Sequence, residues 1–427
     1  MASGWRGRSR ALKLTRRGSV FLGASIALFV VAYSLGSREF QLGAALLAVL
    51  VAAAIVFVRA RRLRVAATRT FSPAIVAAGS TASVTIDLRN LAASRTIAGH
   101  WRDRLPWSPW SSDPGVVESL APAGVRFAER GNATRLRYTL RPPQRGIYEV
   151  GPLMVSYGDP FGIVEGESAV AGAQTLVVTP ELVALSDAGL GFAAAEGTAR
   201  LVQRSVAGND DDLMTREYRR GDALRRVHWR ASARHGELMV RQEEQRARPE
   251  VRLVIDTRRT GYSDAVDTPP ASREVESETF EWVVRMTASL GVHLHRSGYH
   301  VTVLETAGAQ VSGFGDVSQW AAQDEAFLTS LAGIRLLDVR VRDRVGPIDQ
   351  SQQGGALFAV IAEPDTPSLD WLLRQRKPGE RGVAFVPLWS RAARDALIAA
   401  GWQCVVFQPS DDLATVWAAV GSLAGRA

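Results

Sequence analysis

The sequence predicts an α+β multidomain chain: an N-terminal transmembrane helical hairpin, a β-sandwich-like domain, then a doubly wound α/β domain. Three observations predict it. Two uncharged apolar runs stand almost back to back near the N terminus. Alternating apolar and polar residues broken by turn groups follow them. Short apolar runs that alternate with helical stretches then continue to the end. With 427 residues and 46% hydrophobic content, the chain has enough apolar mass for two or three cores.

The runs 18–36 and 40–58 carry no charge, and each spans about 19 residues, close to the ~20 that cross a hydrocarbon core as helix. Only Ser37, Arg38 and Glu39 separate them, which forces a tight hairpin. Residues 1–17 form a basic N-terminal stretch, with Arg6, Arg8, Arg10, Lys13, Arg16 and Arg17; Arg59, Arg61, Arg62 and Arg64 follow the second run. The positive-inside rule puts both clusters, and hence the termini and soluble domains, on the cytoplasmic side of the plasma membrane. A signal peptide is the competing reading. The first run is too long for it, no A-x-A site follows, and a second span comes at once. The net charge of +8 would suit nucleic acid or anionic lipid. Its concentration beside the apolar runs favours the lipid bilayer as partner and argues against nucleic acid.

Residues 65–180 read as β. VTIDL (84–88) alternates, and extended segments follow at 135–140, 148–157 and 175–179, divided by turn groups such as Pro142-Pro143 and Gly158-Asp159-Pro160. Short strands with frequent turns suggest a sandwich. Residues 181–212, rich in Ala and Gly, read as a linker. The block 213–248 carries arginines at 216, 219, 220, 225, 226, 230, 234 and 241, interleaved with Tyr218, His228 and Trp229. Leu224, Val227 and Ala231 have helical spacing, so a helix is expected from Asp222 as N-cap to Gly236, with Arg226, Arg230 and Arg234 along one face. An extended segment should follow over 237–244. Two readings of the block compete. In one, its arginines pair with Glu217, Asp222, Glu237, Glu243 and Glu244 while Trp229 packs on the sheet. In the other, Arg225, Arg226, Trp229, Arg230 and Arg234 bind acidic groups on a partner protein.

From 249 to 427 the apolar runs at 251–256, 300–305, 335–339, 356–362, 382–388 and 404–409 alternate with helical stretches at 280–297, 317–331, 368–375 and 391–400. That pattern predicts a mostly parallel sheet covered on both faces, with any ligand at the carboxyl ends of the strands. Asp256 closes the first of these strands. It opens Asp-Thr-Arg-Arg-Thr (256–260) where a von Willebrand factor type A domain has an Asp-x-Ser-x-Ser cation loop. Asp256 and Thr260 are the only ligands such a loop would retain, and Arg258 opposes a cation or takes its place. Glu363 and Asp365 could lie at the same edge but read better as solvated carboxylates. Cys404, the single cysteine, sits in an apolar run and excludes a disulfide framework. No HExxH, Walker loop or GxSxG elbow is present, so neither an enzyme nor a cofactor is expected.

The sequence resembles the domain of unknown function 58 family of bacterial membrane proteins. The resemblance rests on REYRRGDALRRVHWRASARHGELMVR (216–241), RGIYEVGP (145–152) and YGDPFGI (157–163). His228 stands where that family more often has an acidic or polar residue. The resemblance implies a C-terminal domain similar to the von Willebrand type A fold. It also implies work beside a MoxR-type AAA+ ATPase, and with transglutaminase-like membrane proteins, in envelope assembly. The expected function is therefore a membrane-anchored, non-enzymatic adaptor. The alternative is divalent-metal-dependent ligand binding at Asp256.

Overall fold

The computed structural model describes residues 10–60, 63–108, 115–123, 131–192, 215–218, 227, 229–241, 249–267, 275–312, 320–338, 355–377 and 379–424. The protein is a mixed α+β chain that divides into two compact units, Met1–Thr179 and Pro180–Ala427.

In the first unit, strand β1 (Arg10–Leu14) leads into helices α1 (Arg16–Leu35) and α2 (Arg38–Ala60). Their mean hydropathies are 1.9 and 2.6, and both are long enough to span a membrane. Thr15 caps α1 by accepting from the Gly18 amide, and Gly36, at φ 65°, supplies the left-handed residue that ends it. The two helices are tied where the buried Ser25 hydroxyl donates to the Ala44 carbonyl at 2.8 Å.

Ten further strands follow: β2 (Val65–Ser72), β3 (Ile75–Ala77), β4 (Ala82–Asn90), β5 (Gly99–Asp103), β6 (Gly115–Val117), β7 (Ala133–Leu140), β8 (Gly146–Val150), β9 (Leu153–Gly158), β10 (Val164–Ala171) and β11 (Gln174–Thr179). They form sheets ordered β1-β10-β9-β5-β6, β2-β4-β7 and β3-β11-β8. The alternation in β4 turns Val84, Ile86 and Leu88 into one core, which Trp101, Leu136, Val150, Leu153 and Val178 complete from all three sheets. Within it Arg69 donates twice to Asp103, at 2.9 and 2.6 Å, and the Tyr138 hydroxyl donates to the same carboxylate at 2.6 Å. Burial, with Asp103 beside it, pushes the Tyr138 hydroxyl above its ordinary range.

The strand β1 lies within the basic stretch 1–17. Residues 10–14 pair antiparallel with 164–168, because β10 would otherwise present an open edge to which any short segment can add. The motif loop 157–163 lies next to this strand. Asp159 accepts from the amides of Phe161, Ile163 and Val164 at 2.8, 2.7 and 2.6 Å. The loop so closed takes the Thr15 amide on the Ile163 carbonyl, at 3.0 Å, and the Thr15 hydroxyl on the Gly162 carbonyl, at 2.6 Å. Gly18 is obligatory at this seam, since a Cβ there would lie 2.2 Å from the Ile163 oxygen. The motif therefore fastens the hairpin to the β-sheets.

The second unit opens with residues 180–192, which are not a free linker: Val183, Leu185, Leu190 and Phe192 pack into its core, and the Trp417 indole donates to the Ser186 carbonyl at 2.6 Å. The rest of the expected linker, 193–212, lies outside the described residues. Next come β12 (Thr215–Glu217), α3 (Trp229–His235) and β13 (Met239–Arg241), with β12 and β13 paired antiparallel. The α/β part comprises β14 (Glu250–Ile255), β15 (Val266–Asp267), β16 (Val275–Glu276), α4 (Glu278–Arg296), β17 (His300–Glu305), α5 (Trp320–Ala332), β18 (Ala356–Val360), α6 (Thr366–Gln375), β19 (Gly382–Pro387), α7 (Arg391–Ala399), β20 (Gln403–Phe407) and α8 (Leu413–Ala424). Five strands run parallel in the order β17-β14-β18-β19-β20. Alternate strand residues bury on opposite faces. Val251, Leu253, Phe358 and Phe385 meet α4, α5 and α8, whereas Val254, Leu357, Ala384 and Val386 meet α6 and α7.

One expectation changes here. The described residues 335–338 of the run 335–339 form no strand; Leu337 makes a single parallel bridge to Arg258. Helix α5 lies beside α4 on one face. The buried His295 ring bridges Asp324, at 2.8 Å, and Gln323, at 2.7 Å. Gly291 admits the Phe327 ring, which a Cβ would meet at 2.7 Å. Cys404 is half-buried, and burial pushes its thiol up to about 11, which keeps it unreactive at neutral pH.

Candidate functional site

The order of the five strands reverses between β14 and β18, and the crevice beyond their carboxyl ends is where such sheets bind ligands. Asp256, Thr257 and Arg258 lie there, all fully buried. An unpaired carboxylate in that position would cost several kcal/mol, and the fold pairs it with Arg258 and Thr306 while Val360 and Tyr262 hold its main chain. The Arg258 guanidinium donates through Nε to Asp256 Oδ1 at 3.2 Å and through Nη2 to Oδ2 at 3.3 Å. Thr306, just past β17, donates its hydroxyl to Oδ1 at 2.6 Å. The Asp256 amide donates to the Val360 carbonyl at 3.1 Å, and the Tyr262 hydroxyl donates to the Asp256 carbonyl at 2.5 Å. Gly261 leaves room for the carboxylate, since a Cβ there would stand 2.8 Å from Oδ2.

Arg258 also reaches across the reversal, donating through Nη1 to Asp365 Oδ1 at 2.6 Å. Asp365 is in addition the N-cap of α6, accepting from the Ser368 amide at 3.1 Å. Partial burial pushes its acidity the other way, but the Ser368 hydrogen bonds and the Arg258 charge hold it below the usual carboxylate range. Asp365 is thus a cap and an ion-pair partner rather than a merely solvated carboxylate. Glu363 lies at the same edge, accepting from the Ser263 hydroxyl at 3.2 Å. Of the two expected cation ligands, Asp256 is occupied by the guanidinium and Thr260 is exposed to solvent. Among the described residues there is no cluster of three or more His, Cys, Asp or Glu placed to hold a metal ion. Thr306 and Tyr262 were not singled out in the sequence. Thr306 directly follows the strand at 300–305, so the carboxyl-end rule alone could have found it.

The arginine block differs from its sequence reading. Val227 makes an antiparallel bridge with Val240, and both side chains are buried. Val227 is thus a bridge residue, and α3 is described from Trp229. The expected helical stretch 222–226 lies outside the described residues. Arg225 and Arg226 lie outside the described residues, as does the Arg230 side chain. Gly236, at φ 74°, ends α3 as expected. The Ser232 hydroxyl then accepts from the Met239 amide at 2.8 Å, folding the extended segment back along the helix. Trp229 does not pack on the sheet; it is 70% exposed. Arg234 is exposed too and makes no ion pair among the described residues.

Residues 214–313 match the family model described as "Protein of unknown function DUF58". This stretch therefore carries a DUF58 segment. The matched DUF58 segment contains both regions just described, from the strand β12 through α3 to Asp256, Arg258 and Thr306. No curated protein matches the chain. Among solved structures, the CARDB domain of a Pyrococcus furiosus protein, in complex with di-metal ions, is similar at 14% identity. That match covers 27% of this chain and 86% of the other, with a TM-score of 0.18. The Pseudomonas fluorescens alkylpurine DNA glycosylase AlkC, bound to DNA containing an abasic site analog, is similar at 12% identity over 38% of this chain and 46% of its own, with a TM-score of 0.19. At such TM-scores neither likeness carries an argument.

Proposed function

We propose that this protein is a membrane-anchored, non-enzymatic adaptor whose cytoplasmic part docks a MoxR-type AAA+ ATPase in envelope assembly. The observation that carries the reading is Trp229, 70% exposed on a short helix beside the exposed Arg234. Tryptophan and arginine are the side chains that dominate binding hot spots. The apolar hairpin and its basic flanks support membrane anchoring with the soluble units cytoplasmic. We read the first unit as a β-sandwich and the parallel sheet as a doubly wound domain of von Willebrand type A character. A transglutaminase-like membrane protein is a second partner on the same reading. Divalent-metal binding at Asp256 is disfavoured, because Arg258 would have to leave a buried carboxylate to admit the cation.

The test is co-purification of the full chain from native membranes with the MoxR-type ATPase. Trp229→Ala combined with Arg234→Glu should reduce recovery of the ATPase at least about tenfold. Unchanged recovery overturns the docking surface, and no recovery with the native chain overturns the ATPase as partner.

A further inference from the structure

A cavity of about 590 Å³ opens at the base of the hairpin, within the first unit. Its wall includes Ala60, the last residue of α2, with Leu63, Arg64, Leu91, Arg95 and Tyr157. Three features of this cavity point to one kind of ligand. First, its level is fixed: α2 is a 23-residue apolar helix, and its end, followed by basic residues, marks the headgroup zone of a bilayer. Second, its charge has one sign. Among the described residues no acidic side chain lines it, and neither Arg64 nor Arg95, both exposed, makes an ion pair. Third, the wall is built rather than loose. The fully buried Asn90 donates to the carbonyls of Ser94 and Ala121, at 2.9 and 2.8 Å, and accepts from the Ala92 amide at 2.9 Å. The Leu91 amide donates to the Arg64 carbonyl at 2.8 Å, so the two arginine-bearing segments are tied together. Leu91, 54% exposed, adds an apolar rim.

We propose that this cavity binds the phosphate of an anionic phospholipid headgroup, with Arg64 and Arg95 as its ligands and the apolar rim against the glycerol and upper acyl chain. Arginine suits a phosphodiester because its planar fork donates two parallel hydrogen bonds to neighbouring oxygens. The inference rests on the hairpin spanning a bilayer but not on the ATPase, so loss of ATPase recovery would leave it standing. A chain absent from the membrane fraction would fail the anchoring itself, which is a separate result.

The experiment is native mass spectrometry of the full chain released from nanodiscs of phosphatidylcholine with and without phosphatidylglycerol. We expect phosphatidylglycerol to be retained in preference to phosphatidylcholine. Arg64→Ala with Arg95→Ala should reduce that retention about thirtyfold, at about one surface charge increment for each arginine. Both side chains are exposed, so the doubly substituted chain should keep its thermal denaturation midpoint. Arg16→Ala with Arg17→Ala removes equal charge at the same membrane level but outside the cavity, and should leave retention nearly intact. Equal retention of the two lipids, or an equal loss in the two variants, would overturn the site. Glycerol phosphate displacing the lipid at comparable concentration would assign the cavity to a soluble phosphate and overturn the lipid.

Discussion

The DUF58 segment holds two regions of opposite character. At the carboxyl end of β14, Asp256 is closed off on every side by Arg258, Thr306, Tyr262 and the backbone. On α3, a few tens of residues earlier, Trp229 and Arg234 face solvent. The position that a fold comparison would select as the binding site has spent its charges on itself, while the region that looks like a structural connector has kept a large aromatic side chain free. Burial of a charge requires a partner, so a closed ion pair reports on stability; the exposed indole is not used by the core, and it is the side chain we assign to the proposed docking surface.

That contrast can be broken at either end. The largest expected effect is at the closed region: Arg258→Ala leaves Asp256 buried without its counter-charge and should destabilise the second unit by roughly 3–5 kcal/mol. Chemical denaturation of the full chain checks it; a change below about 1 kcal/mol would mean that the guanidinium is dispensable. The motif loop at 157–163 has the same closed character. Asp159→Ala removes the acceptor of three amides and should cost the first unit about 3 kcal/mol, with increased proteolysis at the hairpin base. Trp229→Ala should behave in the opposite way, shifting stability by less than about 0.5 kcal/mol while weakening the partner by about 2 kcal/mol. The smallest effect is a pH dependence. Asp365 is more acidic folded than unfolded, so its contribution is present above the ordinary aspartate range and is lost as pH falls through its lower folded value. Thermal midpoints should therefore drop below about pH 4, and Asp365→Asn should flatten that drop.

Legibility in the sequence followed the range of the interactions involved. The hairpin was readable because each run is uncharged and of spanning length, and the parallel strands because each is a continuous apolar run. Strand β1 was not, because RALKL has no pattern of its own and gains its structure only from the edge of β10. The spacing of Leu224, Val227 and Ala231 suggested a helix, but Val227 pairs with Val240, a tertiary choice that overrides local periodicity. The pairing of Arg258 with Asp256 could be anticipated from two neighbouring residues. Thr306 and Asp365 arrive from 50 and 107 residues away; the carboxyl-end rule brings both to this edge, but nothing local shows that they bond to Asp256 and Arg258. The helix α8, whose Trp417 fills the core, was likewise unread.

The exposed face of α3 is the surface we propose for docking the ATPase. A photo-reactive amino acid substituted at Trp229, activated in native membranes, tests it most directly. We expect a crosslink to the MoxR-type ATPase that is lost when Arg234→Glu is added. Crosslinks that form only within this chain would contradict it, and would return the arginine block to a purely structural role.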